Sequence, residues 1–180
     1  MALTATIYNF TIDMSDSDRH VYESLALTVA RHPSESEDYM WTRVLAYALE
    51  FTGGIEFSRG LSTPDEPAIA IRDLTGRLQA WIEIGAPDAA RLHKAAKAAG
   101  RVAVYVYKDI TQYLRQLAGE RIHRPGELEL YAIDRRLLTA LGPLLERRMA
   151  FGVSVHDREI YVSIGTETLS GSVTRHLLEQ

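Results

Sequence analysis

Residues 68–107 read AIAIRDLTGRLQAWIEIGAPDAARLHKAAKAAGRVAVYVY, and their hydrophobic pattern decides the fold. Two strand candidates, AIAIR (68–72) and LQAWIEI (78–84), flank the turn signal DLTG and predict an antiparallel hairpin. A helix of about 12 residues follows, with Pro87 where its first residue is expected and Gly100 just after its end. The apolar run RVAVYVY is typical of a strand covered on both faces. The strand, helix and strand together predict a right-handed, parallel βαβ unit.

The residues before this unit predict a β-hairpin and a helix. Residues 3–13 are rich in β-branched and aromatic side chains, and residues 21–29 alternate with a period of two, so both segments predict strands. Ser34 and Glu37 match the S-x-x-E capping box, which predicts a helix start ahead of an apolar stripe. A short strand is predicted at residues 55–58.

The residues after the unit predict further alternation of helices and strands. A helix is predicted over 109–118, a strand over 127–133 and a helix over 134–147. A final pair of strands flanks the turn HDRE, and the C-terminal VTRHLLEQ is predicted to be a plain terminus. Because no internal repeat or linker is found, we predict a single α/β domain over residues 1–180.

The composition excludes several classes of protein. The 180 residues include no cysteine, which excludes disulfides and thiolate metal sites and fits a reducing cytoplasm. The N-terminal MALTATIYNF lacks the basic and apolar regions of a signal peptide. No apolar run approaches the roughly 18 residues that a membrane span needs. The sequence therefore predicts a cytoplasmic protein without a membrane segment.

Charge is distributed unevenly along the chain. Residues 1–87 contain 6 Lys and Arg against 13 Asp and Glu, whereas residues 88–150 contain 12 against 7. The basic 88–150 segment could present a positive face to an anionic partner such as nucleic acid. Alternatively, its arginines form the solvated face of a helix. The partner prediction stays open between these two interpretations.

Acidic residues flank the predicted hairpin on both of its strands. Asp65 and Glu66 precede the first strand, and Glu83 lies near the end of the second. Because antiparallel pairing brings the start of one strand close to the end of its partner, these carboxylates are expected to converge. Clustered carboxylates suit Mg²⁺ or Mn²⁺, which can polarise a phosphodiester and supply hydroxide.

Lysines are concentrated beside this acidic cluster. The chain has three, and two of them, Lys94 and Lys97, lie on the helix that follows Glu83. Their spacing of three places them on one face, where an ammonium group could stabilise a developing phosphate charge. The alternative is a pair of solvated lysines next to an acidic turn.

Several stretches together resemble the YaeQ family of bacterial proteins. They are HPSES (32–36), TRVLAYAL (42–49), GLSTPDEPA (60–68), WIEIGAPD (81–88) and HKAAKAA (93–99). The resemblance implies a restriction-endonuclease-like mixed sheet core of helix, three-strand meander, helix and strand. It further implies an added N-terminal β-hairpin and C-terminal strands.

The resemblance also implies a site of the P-D…(D/E)-x-K type. Glu83 matches its acidic member, and Glu35 matches an acidic residue that such folds often add at the first long helix. Ala68 stands where the motif aspartate is expected, with Asp65 and Glu66 as neighbouring substitutes. Gly85 stands where the motif lysine is expected, which leaves Lys94 or Lys97 to replace it.

Two functions follow as expectations. The first is a nuclease-like protein with Mg²⁺- or Mn²⁺-dependent phosphodiester hydrolysis on nucleic acid. It would use Asp65, Glu66, Glu83 and Glu35 as metal ligands, and Lys94 or Lys97 beside Glu83 in catalysis. The second is a non-catalytic adaptor or nucleic-acid-associated regulatory factor on a decayed nuclease scaffold, which the two altered motif positions favour.

Overall fold

The structure, a computed structural model, describes residues 4–58 and 65–179 and confirms the mixed α/β class. In chain order, the strands in these residues are β1 (Thr6–Asp16), β2 (Val21–Arg31), β3 (Ile55–Phe57), β4 (Ile69–Arg72), β5 (Leu78–Ile84), β6 (Arg101–Val106), β7 (Glu129–Ile133), β8 (Arg148–His156), β9 (Glu159–Ile164) and β10 (Glu167–His176). The α-helices are α1 (Glu37–Glu50), α2 (Ala89–Ala98), α3 (Ile110–Leu117) and α4 (Arg135–Leu141). Among the described residues, no helix is both long and apolar enough to span a membrane.

The chain forms two compact units. The first consists of Met1–Leu49 and Ile133–Thr174, and the second of Glu50–Ala132 and Arg175–Gln180. The prediction of a single domain over residues 1–180 stays a prediction. Each unit has its own run of paired strands and its own buried residues.

The first unit has a mixed sheet in the order β2-β1-β8-β9-β10. β1 pairs antiparallel with β2 along its whole length, which confirms the predicted opening hairpin. β1 also runs parallel to β8, whereas β8, β9 and β10 pair antiparallel. Every second residue of β1 is buried, including Phe10 and Ile12. From α1, Trp41 packs edge-on against Phe151 with ring centroids 5.3 Å apart.

The second unit has a mixed sheet in the order β7-β6-β5-β4-β3. β3, β4 and β5 form an antiparallel meander, which confirms the predicted hairpin. β6 runs parallel to both β5 and β7, so the parallel pairing predicted for the βαβ unit is also confirmed. Leu92 and Ala96 of α2 and Leu117 of α3 belong to one buried cluster with Trp81 and Val104. This packing places the start of α2 next to the end of β5.

Helix α1 begins later than the capping box predicts. The predicted cap, Ser34, instead contacts Nδ1 of His32 at 2.7 Å. The Oγ of Ser36 accepts a hydrogen bond from the N–H group of Tyr39 at 3.1 Å, and the helix begins at the next residue, Glu37. Ser36 lies immediately before the helix, as an N-cap must, so the Ser34 box is wrong.

Replacing Ser36 with alanine is expected to lower the free energy of unfolding by about 1 kcal/mol, the usual cost of losing an N-cap. Replacing Ser34 with alanine serves as the matched control, because its exposed contact to His32 contributes little. Urea denaturation of both variants measures the difference. A larger loss for Ser34→Ala than for Ser36→Ala would contradict this assignment of the cap.

Helix α2 also begins later than its proline suggests. Pro87 is predicted at the first helical position, but α2 begins at Ala89. Asp88 is the N-cap, and its carboxylate accepts a hydrogen bond from the N–H group of Arg91 at 2.8 Å. Asp88 therefore sets the helix start, because its side chain satisfies an N–H group that has no partner within the helix.

Two elements in the last third of the chain differ from the prediction. The helix predicted over 134–147 ends at Leu141, because Gly142 is followed by Pro143, which has no N–H group to continue the helix. β10 pairs with β9, so the plain terminus predicted for VTRHLLEQ is wrong for residues 173–176. The pattern does not predict β10 because its residues are mostly polar and their burial does not alternate.

Candidate functional site

Glu83 lies on β5 with its carboxylate inside the second unit, where the residue is 5% exposed. Nε1 of Trp81 donates a hydrogen bond to Oε1 of Glu83 at 2.7 Å. The two residues are two positions apart on β5 and therefore share one face of the strand. A buried carboxylate requires such partners, because removing an unpaired charge from water is costly.

The principal partner of Glu83 is Arg91, in the first turn of α2. Nε of Arg91 donates to Oε2 at 3.0 Å and Nη2 donates to Oε1 at 2.8 Å. This two-point geometry binds a carboxylate more tightly than a single contact. The guanidinium also lies over the Trp81 ring, 5.6 Å from its centroid, and Nη2 donates to the backbone oxygen of Glu66 at 2.8 Å. Arg91 thus connects β5, α2 and the segment that precedes β4.

A second ion pair of the site joins Lys94 to Asp65. Both side chains are exposed. The hydrogen bond from Lys94, and then its positive charge, hold the pKa of Asp65 below its ordinary value. Lys94 therefore lies beside one of the acidic residues that were predicted to form the site. Its catalytic role stays a prediction.

The remaining predicted site residues have other surroundings. The side chain of Glu66 is exposed and lines a cavity of about 220 Å³ with Glu56 and Arg72. Lys97 projects from the exposed side of α2. Glu35 belongs to the first unit, where it forms an ion pair with Arg43 at 3.2 Å.

The donor set does not fit a divalent metal ion. Within residues 4–58 and 65–179, no group of three or more His, Cys, Asp or Glu side chains could hold one. Both oxygens of Glu83 already accept hydrogen bonds, and the cations of Arg91 and Lys94 would repel another positive charge. The expected convergence of Asp65, Glu66 and Glu83 on one ion is not found in this part of the chain, and their ligand roles stay predictions.

The backbone at Gly85 disfavours a lysine at the position where the resemblance implies one. Gly85 has a φ of +100°, and its N–H group donates to the carbonyl of Tyr105 at 2.9 Å. A residue with a Cβ atom is strained at such a φ, whereas glycine adopts it at little cost. This turn directs the chain from β5 to the Asp88 cap and so to Arg91. The same turn that places Arg91 on Glu83 thus disfavours a lysine two residues after Glu83.

A second polar cluster of the same unit, whose two carboxylates are mostly buried, was not predicted from the sequence. Arg101, at the start of β6, binds two carboxylates at once. Nη1 and Nη2 donate to Glu50 at 2.7 and 2.9 Å, and Nε and Nη2 donate to Glu129 at 2.6 and 3.0 Å. The hydroxyl groups of Tyr105 and Tyr131 donate to the same two carboxylates, each at 2.6 Å. The sequence feature that could have indicated this cluster is an arginine at the start of the otherwise apolar run RVAVYVY.

Ionisation of Tyr105 in this cluster makes the stability of the fold depend on pH in the alkaline range. Burial, followed by the charge of Glu50, raises the pKa of Tyr105 well above its ordinary value of 10.0. A phenol with a raised pKa in the folded state contributes stability that is present below the unfolded pKa and lost as pH rises above it. The stability contributed by Tyr105 is therefore lost above about pH 10.

Replacing Tyr105 with phenylalanine is expected to make the fall in unfolding free energy above about pH 10 shallower, because the variant has no phenol there to ionise on unfolding. At neutral pH the free energy of unfolding of the same variant is expected to fall by about 1 kcal/mol, because Glu50 loses one hydrogen-bond donor. Denaturation midpoints measured across the alkaline range test both effects. Equal slopes in wild type and variant would contradict the link.

A model of the YaeQ protein family matches residues 1–173. The chain belongs to the YaeQ family. It is 33% identical over 175 residues to the uncharacterized protein YaeQ of Salmonella typhi, and 32% identical over 175 residues to that of Escherichia coli (strain K12). Each alignment covers 97% of this chain and 97% of the relative. The YaeQ resemblance seen in the sequence is therefore confirmed.

Solved YaeQ structures share the fold. The crystal structure of the YaeQ protein from Xanthomonas axonopodis pv. citri matches with a TM-score of 0.88 at 32% identity, over 98% of this chain and 100% of that one. The YaeQ protein from Pseudomonas syringae matches with a TM-score of 0.86 at 30% identity, over 97% of each chain. The backbone described above is thus the YaeQ fold along nearly its whole length.

Proposed function

We propose that this YaeQ-family chain is a non-catalytic, nucleic-acid-associated factor on a restriction-endonuclease-like scaffold. One observation carries the proposal. Both carboxylate oxygens of Glu83, the acidic residue expected to act in hydrolysis, accept hydrogen bonds from Arg91 and Trp81. A carboxylate held in this way serves as an anchor for α2, and the guanidinium against both of its oxygens opposes the binding of a metal ion there.

The element order supports the scaffold part of the proposal. The meander β3-β4-β5, the helix α2 and the parallel strand β6 follow one another as in the core that the resemblance implies. The altered motif positions agree with a loss of catalysis. Ala68 has no carboxylate, and the positive φ of Gly85 disfavours the motif lysine.

Charge supports the choice of partner. Within the second unit, residues 88–132 contain eight Lys and Arg against five Asp and Glu. A surface with excess positive charge attracts the phosphate backbone of a nucleic acid, and this attraction supplies most of its sequence-independent affinity. The absence of cysteine is the reason for placing this function in the reducing cytoplasm.

The test must separate this proposal from Mg²⁺- or Mn²⁺-dependent hydrolysis by Glu83 with Lys94 or Lys97. Wild type and Glu83→Gln are incubated with single- and double-stranded DNA and RNA at millimolar Mg²⁺ or Mn²⁺. The proposal expects the same background cleavage from both. Cleavage by wild type that disappears in Glu83→Gln, but persists in the control Glu56→Gln on β3, would overturn the non-catalytic assignment.

Binding is tested separately by fluorescence anisotropy with labelled oligonucleotides. We expect measurable affinity at low salt that falls steadily as salt rises, because phosphate contacts release counterions. No association with any of the four nucleic acids at low salt would overturn the choice of partner.

A further inference from the structure

Four cationic or ionisable side chains of the second unit, His93, Lys97, Arg121 and His123, form what we term the basic cluster. Two of them lie on α2, four residues apart, so they are neighbours on successive turns. Lys97 is exposed, whereas His93 is half-buried. The other two lie between α3 and β7 and are exposed.

The segment between α3 and β7 is fixed onto α2. Ile122, which lies between Arg121 and His123 in the sequence, is buried in the same apolar group as Leu92 and Ala96 of α2. The guanidinium of Arg124 donates to the backbone oxygens of Ala96 and Ala99 at 2.7 and 3.0 Å. These contacts fix the segment that carries Arg121 and His123 onto the helix that carries His93 and Lys97.

The two imidazole rings meet at this junction. The centroids of His93 and His123 are 6.3 Å apart, and the rings are nearly perpendicular. Nδ1 of His93 is enclosed and has no hydrogen-bond partner among the described residues. Burial, and then the positive charges of Lys97, Arg121 and His123, lower the pKa of His93.

Negative charge does not balance the basic cluster. In the part of the chain that the structure describes, no Asp or Glu forms an ion pair with Lys97 or Arg121. The nearby Glu127 is paired with Arg124 at 2.9 Å. Like charges held together repel one another, and an anion placed among them relieves that repulsion.

We propose that the basic cluster binds a phosphate group. Its ammonium, guanidinium and imidazole groups donate hydrogen bonds, which are the contacts that the oxygens of a phosphate accept. The assignment of this phosphate to a nucleic-acid strand rests on the proposed function, whereas the phosphate site itself does not.

Thermal unfolding in inorganic phosphate tests the site, with sodium chloride of equal ionic strength as the reference. The test variant combines Lys97→Gln with Arg121→Gln, and the matched control combines Lys108→Gln with Arg115→Gln, two exposed cations of the same unit. We expect phosphate to raise the melting temperature of wild type and control but not of the test variant. In chloride, the test variant should be at least as stable as wild type, because repulsion has been removed.

Either of two results would overturn the phosphate site: no phosphate-dependent shift in wild type, or an equal shift in the test variant. A second measurement identifies the source of the phosphate. A single-stranded oligonucleotide should bind the test variant about tenfold more weakly than the control, since two phosphate contacts are lost. Loss of the inorganic phosphate shift with unchanged oligonucleotide affinity would support the site and overturn its assignment to nucleic acid.

Discussion

Replacing Arg101 with methionine is expected to lower the free energy of unfolding by about 3 kcal/mol, the lower end of the range for breaking a buried ion pair. The lower end applies because the Arg101 side chain is 36% exposed. The loss is still large, since Glu50 and Glu129 would face each other without the guanidinium that binds both of them. Methionine keeps the apolar length of the side chain, so the change reports the guanidinium rather than a cavity. Urea denaturation measures it.

Arg72→Met is the matched control for Arg101→Met. Arg72 pairs with Glu56 at 3.0 Å, but the side chains are 39% and 59% exposed. Exposed pairs of this kind contribute about 1 kcal/mol or less. A loss for Arg101→Met no greater than that for Arg72→Met would show that the buried cluster contributes no more than a surface pair.

Acid pH provides a second signature of the Arg101 cluster. Burial would raise the pKa of Glu129, but hydrogen bonds from Arg101 and Tyr131 outweigh it and hold that pKa below 4.5. A carboxylate whose pKa is depressed in the folded state contributes stability above its unfolded pKa and loses it as pH falls through the folded value. Wild type should therefore lose stability below about pH 4.5, and Arg101→Met should show a shallower loss over the same range.

Replacing Arg91 with alanine is expected to lower the free energy of unfolding by about 3 kcal/mol, because the buried Glu83 carboxylate loses both of its guanidinium contacts. Trp81 loses the cation over its ring in the same variant, so its fluorescence spectrum should change. Chemical denaturation followed by tryptophan fluorescence measures both effects. Lys94→Ala, which breaks the exposed pair with Asp65, is the control and should change stability by less than about 1 kcal/mol.

A double-mutant cycle isolates the ion pair between Arg91 and Glu83. Glu83→Gln is combined with Arg91→Ala, and the four unfolding free energies give the coupling between the two side chains. We expect the double variant to be more stable than the sum of the single losses predicts, since no buried charge is left unpaired. Additive losses would mean that the ion pair stabilises neither β5 nor α2. The contact between Arg91 and Glu83 would then no longer support the proposed function.

The hydrophobic pattern predicted most of the second unit because apolar burial there follows the period of each element. β4, β5 and β6 are short and rich in apolar residues between clear turn signals, so their pairing could be inferred from the sequence. The helix starts were less accurate. Ser34 and Pro87 are typical start signals, yet the side chains of Ser36 and Asp88 are the ones that accept the free N–H groups.

The strands could be predicted from the sequence more accurately than the residues that surround Glu83. The sequence identified Glu83, Asp65 and Lys94, and the structure pairs the last two. It missed Arg91, whose signal is only a basic residue in the first turn after an Asp cap. Clustered acidic residues in a sequence suggest metal ligands. Whether a carboxylate is available to bind a metal ion depends on the cation that lies nearest to it in the folded protein.

By itself, the sequence determined the order of strands and helices around residues 68–107, the family, and the presence of acidic and basic residues at the end of β5. These properties follow from local periodicity and residue identity, which depend on neighbours along the chain. Only the tertiary structure decided that Arg91 and Trp81 bind both oxygens of Glu83, and that Arg101 joins Glu50 to Glu129. Such pairings depend on the direction of a turn such as that at Gly85 and on the burial of each charge, and residue spacing alone determines neither.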